Sequence, residues 1–139
     1  MWKLDSLDVK ILSIMKENAR IPYTEIAKTL SLSEGAIRQR VKNLIESGII
    51  RRFTVETAEN YPRATVFIST SPKVPVPSIA KNILSLPGVE SLVEVAGQFD
   101  ISVVVSGQDI SSVNQCIDAI REIEGVQVTN TLFVLRRWK

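Results

Sequence analysis

The sequence predicts an α+β protein with two domains, a three-helix domain over residues 1–56 and a βαββαβ domain over residues 57–139. Two observations support this division. Between Thr24 and Leu44, a small residue, a turn and an apolar residue follow one another at the spacing of a helix-turn-helix. Farther along, two stretches of sequence repeat each other with an offset of 37 residues.

Two helices are expected before the turn. Apolar residues recur at helical spacing near the N-terminus, namely Leu4, Leu7, Ile11, Ile14 and Met15. Asp5 or Ser6 is the expected cap of this first helix, which ends near Asn18. Pro22 suits the first turn of the second helix, because it has no N–H to leave unbonded there.

The turn and the third helix complete the motif. Ala27 is small enough for two helices to cross closely, and Ile37 is the apolar residue that fills the gap between them. Ser33 is the expected cap of the third helix, which runs to Ser47. The turn position Ser31 often holds Gly in such motifs, because its backbone tends towards positive φ.

The third helix has one apolar side and one polar side. The apolar residues Ile37, Val41, Leu44 and Ile45 share a sector that faces the core. The rest of the helix is typical of one that enters the major groove of DNA, with Arg38 and Gln39 for base contacts and Arg40 and Lys42 for phosphates. The other expected DNA-contacting residues at the N-terminal end are Ser33 and Gly35. The alternative is an ordinary amphipathic surface helix, and the preceding helix at the right spacing favours DNA.

Gly48 ends the third helix, and Ile49 to Val55 is expected to form a strand that begins a wing or connects the domains. Arg51 and Arg52 on this segment are candidate phosphate contacts, with a solvated strand end as the alternative. Residues up to Thr57 hold 10 Lys+Arg against 7 Asp+Glu, so the small basic excess lies in the first domain. We therefore expect moderate DNA affinity per subunit, strong salt dependence and reliance on oligomerisation.

The repeat organises the second domain. Val66-Phe67-Ile68-Ser69 aligns with Val103-Val104-Val105-Ser106, and Gly88-Val89 aligns with Gly125-Val126. Each copy has the order strand, loop, helix, Gly turn, strand, and two copies in tandem form a ferredoxin-like sheet with helices on one face. Helices are expected over residues 76–86 and 109–123, the first after a Pro-rich loop over residues 71–77 that cannot itself be helical.

The strands are expected in VFIST, LVEVA, ISVVV and TLFVL. Because helices cover only one face of this apolar sheet, we expect its other face to pack against a second copy in a homodimer. A dimer presents two reading helices to a pseudo-palindromic operator, with half-sites spaced by whole helical turns.

Composition argues against catalysis. The chain has no His and one Cys, Cys116, which removes the usual general base and the commonest metal ligands. No carboxylate pair, phosphate-binding Gly loop or nucleophile motif is found, so we expect neither an enzyme nor a metal or other cofactor. The sequence contains no candidate membrane span or signal peptide, so a cytoplasmic location and no membrane partner are expected.

A resemblance to the Lrp/AsnC (feast/famine) transcription regulators extends over nearly the whole chain. In the first half it is carried by the opening Leu4-Asp5, by Asn18-Ala19-Arg20, by Arg40-Val41 and by Gly48-Ile49-Ile50. The later segments VAGQFDISVVV and GVQVTNTLFVL resemble the effector-sensing domain of the same family.

The resemblance implies a small-molecule site between dimers of C-terminal domains, usually for an amino acid, built around a Gly-x-aromatic-Asp loop. Here that loop is Gly97-Gln98-Phe99-Asp100. Its backbone N–H groups would bind a carboxylate, and Asp100 would receive an ammonium group. Thr129 and Thr131 would add hydroxyls to the site. The alternative is a plain hairpin turn followed by ordinary β-forming threonines.

The sequence therefore predicts a sequence-specific DNA-binding regulator that forms dimers, tetramers or octamers and responds to an amino acid. Two other functions stay open. One is an architectural DNA-binding protein without an effector. The other is an amino-acid-sensing regulatory subunit of an enzyme, which would leave the basic third helix unexplained.

Overall fold

A computed structural model describes residues 3–57 and 61–138 of the chain. The chain divides into two compact units, Met1–Thr57 and Ala58–Lys139. The predicted α+β class is confirmed: the first unit is helical, and the second combines a four-stranded sheet with two helices. Among the described residues, no helix has the length and apolar character needed to cross a membrane.

The helices of the first unit are α1 (Ser6–Glu17), α2 (Tyr23–Leu30) and α3 (Glu34–Glu46). Asp5 caps α1 in a capping box with Asp8, because each side chain accepts a hydrogen bond from the backbone N–H of the other. Ser33 caps α3 by accepting a hydrogen bond from the N–H of Ala36 at 3.1 Å. Pro22 lies at the N-cap of α2, one residue before its first turn.

The predicted helix-turn-helix geometry is confirmed. Ala27 and Ile37 are both buried in the core that the three helices share. Ser31 has φ 54° and ψ 45°, the left-handed conformation expected for the turn. The short link from α2 to α3 thus depends on the positive φ of Ser31 and on Ser33 as the N-cap of α3.

The strand predicted from Ile49 to Val55 is wrong. Ile49 and Ile50 pack against the helical core, and the N–H of Ile50 donates to the carbonyl of Leu44 at 2.9 Å. From Arg51 onward the segment is exposed and has no regular structure. A strand needs a neighbouring edge to pair with, and the described residues of this unit provide none.

The second unit contains β1 (Arg63–Thr70), α4 (Val76–Leu84), β2 (Val89–Glu94), β3 (Ile101–Ser106), α5 (Ile110–Arg121) and β4 (Val126–Phe133). The strand order is β2-β3-β1-β4 and every pair is antiparallel, which confirms the predicted ferredoxin-like sheet. Both helices end two residues before their predicted limits. Pro77 lies inside the first turn of α4, so the expectation that residues 71–77 are all non-helical is wrong for the end of that loop.

Alternate residues of the central strands face the two helices. This core consists mainly of Ala64, Val66, Ile68, Ile101, Val103 and Val105 from the sheet and Ile79, Ile83, Val113, Cys116, Ile117 and Ile120 from the helices. The intervening residues occupy the opposite face, because side chains alternate along a strand. On that face the outer strands expose Val93, Val128 and Leu132, each more than half accessible.

Candidate nucleic-acid interface and the β2–β3 loop

The exposed polar side of α3 carries three side chains expected to contact DNA. The guanidinium of Arg38 pairs with Glu34 and lies 5.4 Å from the centre of the Tyr23 ring. Gln39 donates from Nε2 to Asn43 Oδ1 at 2.9 Å, and Lys42 Nζ lies 3.7 Å from Glu46. Exposed contacts of this kind contribute about 0–1 kcal/mol each. These side chains can therefore exchange their partners for bases or phosphates at little cost.

The N-terminal end of α3 is open to close approach. Gly35 is exposed, and a Cβ built on it would meet no atom within 4 Å. Ser33 is also exposed, although its hydroxyl already accepts the N–H of Ala36. Because Gly35 has no side chain and open space around it, a DNA groove or a phosphate can approach the start of α3 closely.

The structure gives Arg40 a different environment from the expected phosphate contact. Its Nη1 donates to Asp5 Oδ2 and to Asp8 Oδ1, each at 2.7 Å. Asp8 is fully buried, whereas the side chain of Arg40 is 26% exposed. The assignment of Arg40 to phosphate is therefore corrected: its guanidinium joins α3 to the start of α1.

Charge and hydrogen bonding stabilise the ionised forms in this cluster. The backbone N–H of Asp8 and then the guanidinium of Arg40 lower the pKa of Asp5. The carboxylates of Asp8 and then Asp5 raise the pKa of Arg40. Sequence reasoning missed both acids as partners of Arg40, since they lie 35 and 32 positions away. The signal in the sequence was Asp8, a charged residue at helical spacing between the apolar residues Leu4 and Ile11 of the first helix.

Arg51 and Arg52 are exposed on the irregular segment that follows α3. With the end of α1, this segment lines a groove of about 740 Å³. Its apolar lining residues are Leu12, Met15, Ile49, Ile50, Phe53 and Val55. The two arginines remain candidate phosphate contacts, on an exposed irregular segment and not on the predicted strand.

In the second unit, the loop Gly97-Gln98-Phe99-Asp100 is attached to the end of β1. Asp100 Oδ2 accepts the backbone N–H of Thr70 at 2.7 Å and its hydroxyl at 3.0 Å. The N–H of Asp100 donates to the carbonyl of Ile68 at 2.9 Å. The Phe99 ring lies 5.4 Å from that of Phe67. The carboxylate expected to receive an ammonium thus holds the loop on the neighbouring strand.

The two threonines expected in the same site lie on the other face of the sheet. Thr129 pairs with Ile68 and Thr131 with Val66, and both partners belong to the core beneath the helices. Arg121 on α5 donates to the hydroxyl of Thr129 at 3.1 Å. Residues that pair across neighbouring strands point to the same face of a sheet. Thr129 and Thr131 therefore face the helices, whereas Phe67 contacts Phe99 on the opposite face. Their assignment to a common site with Phe99 is corrected.

Sequence reasoning missed the residues of β1 that contact the loop, namely Phe67, Ile68, Ser69 and Thr70. Thr70 lies 30 positions before Asp100, and no local pattern joins them. The hydroxyl of Thr131 is buried and has no hydrogen-bond partner among the described residues. It packs on the helix side of the sheet, apart from the Gly97 loop.

An exposed polar helix in a helix-turn-helix, followed by a ferredoxin-like domain, defines a DNA-binding regulator with a separate sensing or assembly domain. Comparison with known proteins agrees with this class. Residues 4–51 match the family described as winged helix-turn-helix DNA-binding, and residues 63–139 match the Lrp/AsnC ligand binding domain. The chain belongs to the Lrp/AsnC family of transcriptional regulators.

Its relatives include the HTH-type transcriptional regulator LysM of Saccharolobus solfataricus, which is 51% identical and covers 97% of this chain and 96% of its own length. Among solved structures, E. coli AsnC has a TM-score of 0.78 at 27% identity and covers 98% of this chain and 95% of its own. A regulator from Neisseria meningitidis, solved as a complex with L-Met, has a TM-score of 0.82 at 24% identity and covers 99% and 93%. The last comparison shows a shared fold.

Proposed function

We propose that this regulator binds specific DNA sequences through the exposed side of α3, as a homodimer or a higher oligomer, without catalysing a reaction. The observation that carries the proposal is the exposed set Arg38, Gln39 and Lys42 on the second helix of a helix-turn-helix. Ser33, Gly35, Arg51 and Arg52 complete the proposed contacts. A pseudo-palindromic operator follows from a two-fold dimer. Action on DNA also supports the expected cytoplasmic location.

The open sheet face supports self-association. Its exposed apolar residues on the outer strands, Val93, Val128 and Leu132, lie on the same sheet face as Phe67 of β1. Exposed apolar side chains grouped on one sheet face often mark an interaction surface. A second copy of the same sheet is the simplest partner, because a two-fold interface uses the same surface twice.

The effector part of the proposal concerns the loop Gly97-Gln98-Phe99-Asp100. Two observations on relatives support it: the family of the second unit is described as ligand binding, and the Neisseria regulator was crystallised with L-Met. Gly97 is exposed with φ 145°, and a turn with such a residue presents backbone N–H groups that suit a carboxylate. We propose that an amino acid binds at Gly97 to Phe99 and alters assembly of the dimers.

The DNA-binding proposal is tested by selecting bound sequences from a randomised duplex library. Gln39→Ala should relax the selected consensus, because it removes a base contact. Lys42→Ala should weaken binding to all duplexes alike and lower the salt dependence. Lys81→Ala, which removes the same charge from α4 in the second unit, is the matched control. An unchanged consensus for Gln39→Ala would show that Gln39 does not read bases, and even binding to every duplex would indicate an architectural protein.

The effector proposal is tested separately by thermal-shift screening of the twenty amino acids, with light scattering on each one that raises the melting temperature. A change in oligomer size with one of them is the expected result. If no amino acid shifts either quantity, the effector proposal fails while the DNA-binding proposal stands.

A further inference from the structure

Arg40 occupies the middle of α3, between Gln39 and the buried Val41. Its guanidinium is held by two carboxylates, each at 2.7 Å from Nη1. The side chain is nevertheless 26% exposed, and the partner Asp5 is 49% exposed. The cluster therefore reaches the protein surface on the helix that also carries the side chains proposed to contact DNA.

The sum of charges in this cluster is −1, since one guanidinium meets two carboxylates. A free arginine at the same place would add one positive charge within reach of a phosphate backbone. Phosphate contacts strengthen binding to every sequence, whereas contacts to base edges discriminate between sequences. Whether Arg40 is free to contact a phosphate therefore affects the sequence-independent part of the affinity for DNA.

We infer that Asp5 and Asp8 withhold Arg40 from DNA phosphates and so limit the sequence-independent affinity of α3. This inference rests on the proposed role of α3 in contacting DNA. Asp8 is the buried anchor that keeps the guanidinium against α1. Asp5 is the accessible member and balances the remaining charge near the surface. Neutralising Asp5 makes the cluster more attractive to phosphate.

Asp5→Asn is the informative variant, because Asn caps a helix as well as Asp and the fold of α1 is preserved. Binding is measured by fluorescence anisotropy with a labelled duplex of mixed sequence over a range of salt concentrations. We expect Asp5→Asn to bind this duplex about fivefold more tightly at low salt, with a salt dependence steeper by roughly one phosphate contact per subunit. Asp118→Asn, which removes an exposed carboxylate on α5 paired with Arg121, is the control and should change neither quantity.

Arg40→Gln distinguishes a withheld arginine from one that already contacts DNA. Alone it should weaken binding to the mixed duplex clearly less than Lys42→Ala does, and in the Asp5→Asn protein it should abolish the gain. If Arg40→Gln leaves the buried Asp8 unpaired and fails to fold by circular dichroism, Arg40→Gln/Asp8→Asn replaces it. Loss of affinity as large as that of Lys42→Ala would overturn the inference, as would an Asp5→Asn protein that binds like wild type. A wild-type protein that binds no duplex would instead overturn the proposed function.

Discussion

Asp100 and Thr70 join the β2–β3 loop to the end of β1 through two hydrogen bonds to one carboxylate oxygen, at 2.7 Å from the backbone N–H and 3.0 Å from the hydroxyl. The N–H of Asp100 adds a third bond, to the carbonyl of Ile68. The loop is therefore positioned by the strand beside it. Any ligand that binds to the backbone of Gly97 to Phe99 would depend on this attachment.

Asp100→Ala should destabilise the second unit by about 1–3 kcal/mol, because it leaves the partly buried N–H and hydroxyl of Thr70 without their acceptor. Thr70→Val should cost about 0.5–1.5 kcal/mol, since it removes only the hydroxyl bond. Urea unfolding measures both free energies, with Asp118→Asn as a control expected to lie within about 0.5 kcal/mol of wild type.

The same variants test how Asp100 takes part in the proposed effector response. Asp100→Ala should abolish any change in oligomer size that an amino acid induces. If Asp100 acts by holding the loop, Thr70→Val should weaken that response as well. A normal response in Asp100→Ala would place the effector site elsewhere, and a normal response in Thr70→Val alone would favour a direct contact between Asp100 and the ligand.

Ser31 adopts the left-handed conformation with φ 54°, which is unfavourable for a residue with a side chain. Ser31→Gly should therefore stabilise the first unit by up to about 1 kcal/mol, the relief of strain exceeding the added entropy of the unfolded chain. Ser47→Gly is the matched control, because Ser47 ends α3 with φ −80° and gains nothing from Gly. Chemical denaturation should show opposite signs for the two variants, and a destabilised Ser31→Gly would contradict the strain argument.

Two glycines in different surroundings should respond oppositely to Ala. At Gly125, which has φ 95°, a Cβ would come within 2.8 Å of Val74 Cβ and 2.7 Å of Ile79 Cδ1. Gly125→Ala should cost more than about 1 kcal/mol through strain and overpacking. Gly35→Ala fills open space inside α3 and should stabilise the first unit by about 0.5–1 kcal/mol.

Melting curves of the two variants measure these effects, and equal shifts would contradict the packing argument. DNA binding by Gly35→Ala provides a second measurement, because a gain in stability would not by itself weaken binding. If Gly35 lies against DNA as proposed, the variant should bind DNA more weakly although it is more stable.

Features that depend on neighbours in sequence were predictable. The caps at Asp5 and Ser33 and the positive φ of Ser31 each follow from one residue and the few beside it. The ferredoxin-like sheet followed from the repeat, because two βαβ units in tandem form one antiparallel sheet. These rules placed every helix within about two residues of its observed limits.

Features that depend on distant partners were not predictable. The segment from Ile49 to Val55 has the composition of a strand, but strand formation needs a second edge. Arg40 is a residue type that commonly contacts phosphate, but the two carboxylates that bind it lie at the start of α1. The face of Thr129 and Thr131 depends on register, and a shift by one residue exchanges the two faces of a strand. In each case the sequence determined the chemistry of the residue and the fold determined its partner.

Acid should destabilise each unit through its own helix cap. The N–H of Asp8 and then Arg40 lower the pKa of Asp5, and the N–H and then the hydroxyl of Ser112 lower the pKa of Asp109 at the start of α5. In both cases the carboxyl group binds its proton less tightly in the folded state than in the unfolded state, where its ordinary pKa is 3.8. The stability contributed by each carboxylate is therefore present above pH 3.8 and is lost as the pH falls through the lower folded pKa. Asp5→Asn and Asp109→Asn keep the caps but cannot titrate, so urea unfolding between pH 7 and about pH 2.5 should show a shallower acid-induced loss in each variant. A loss as steep as in wild type would show that these two carboxylates do not contribute to acid sensitivity.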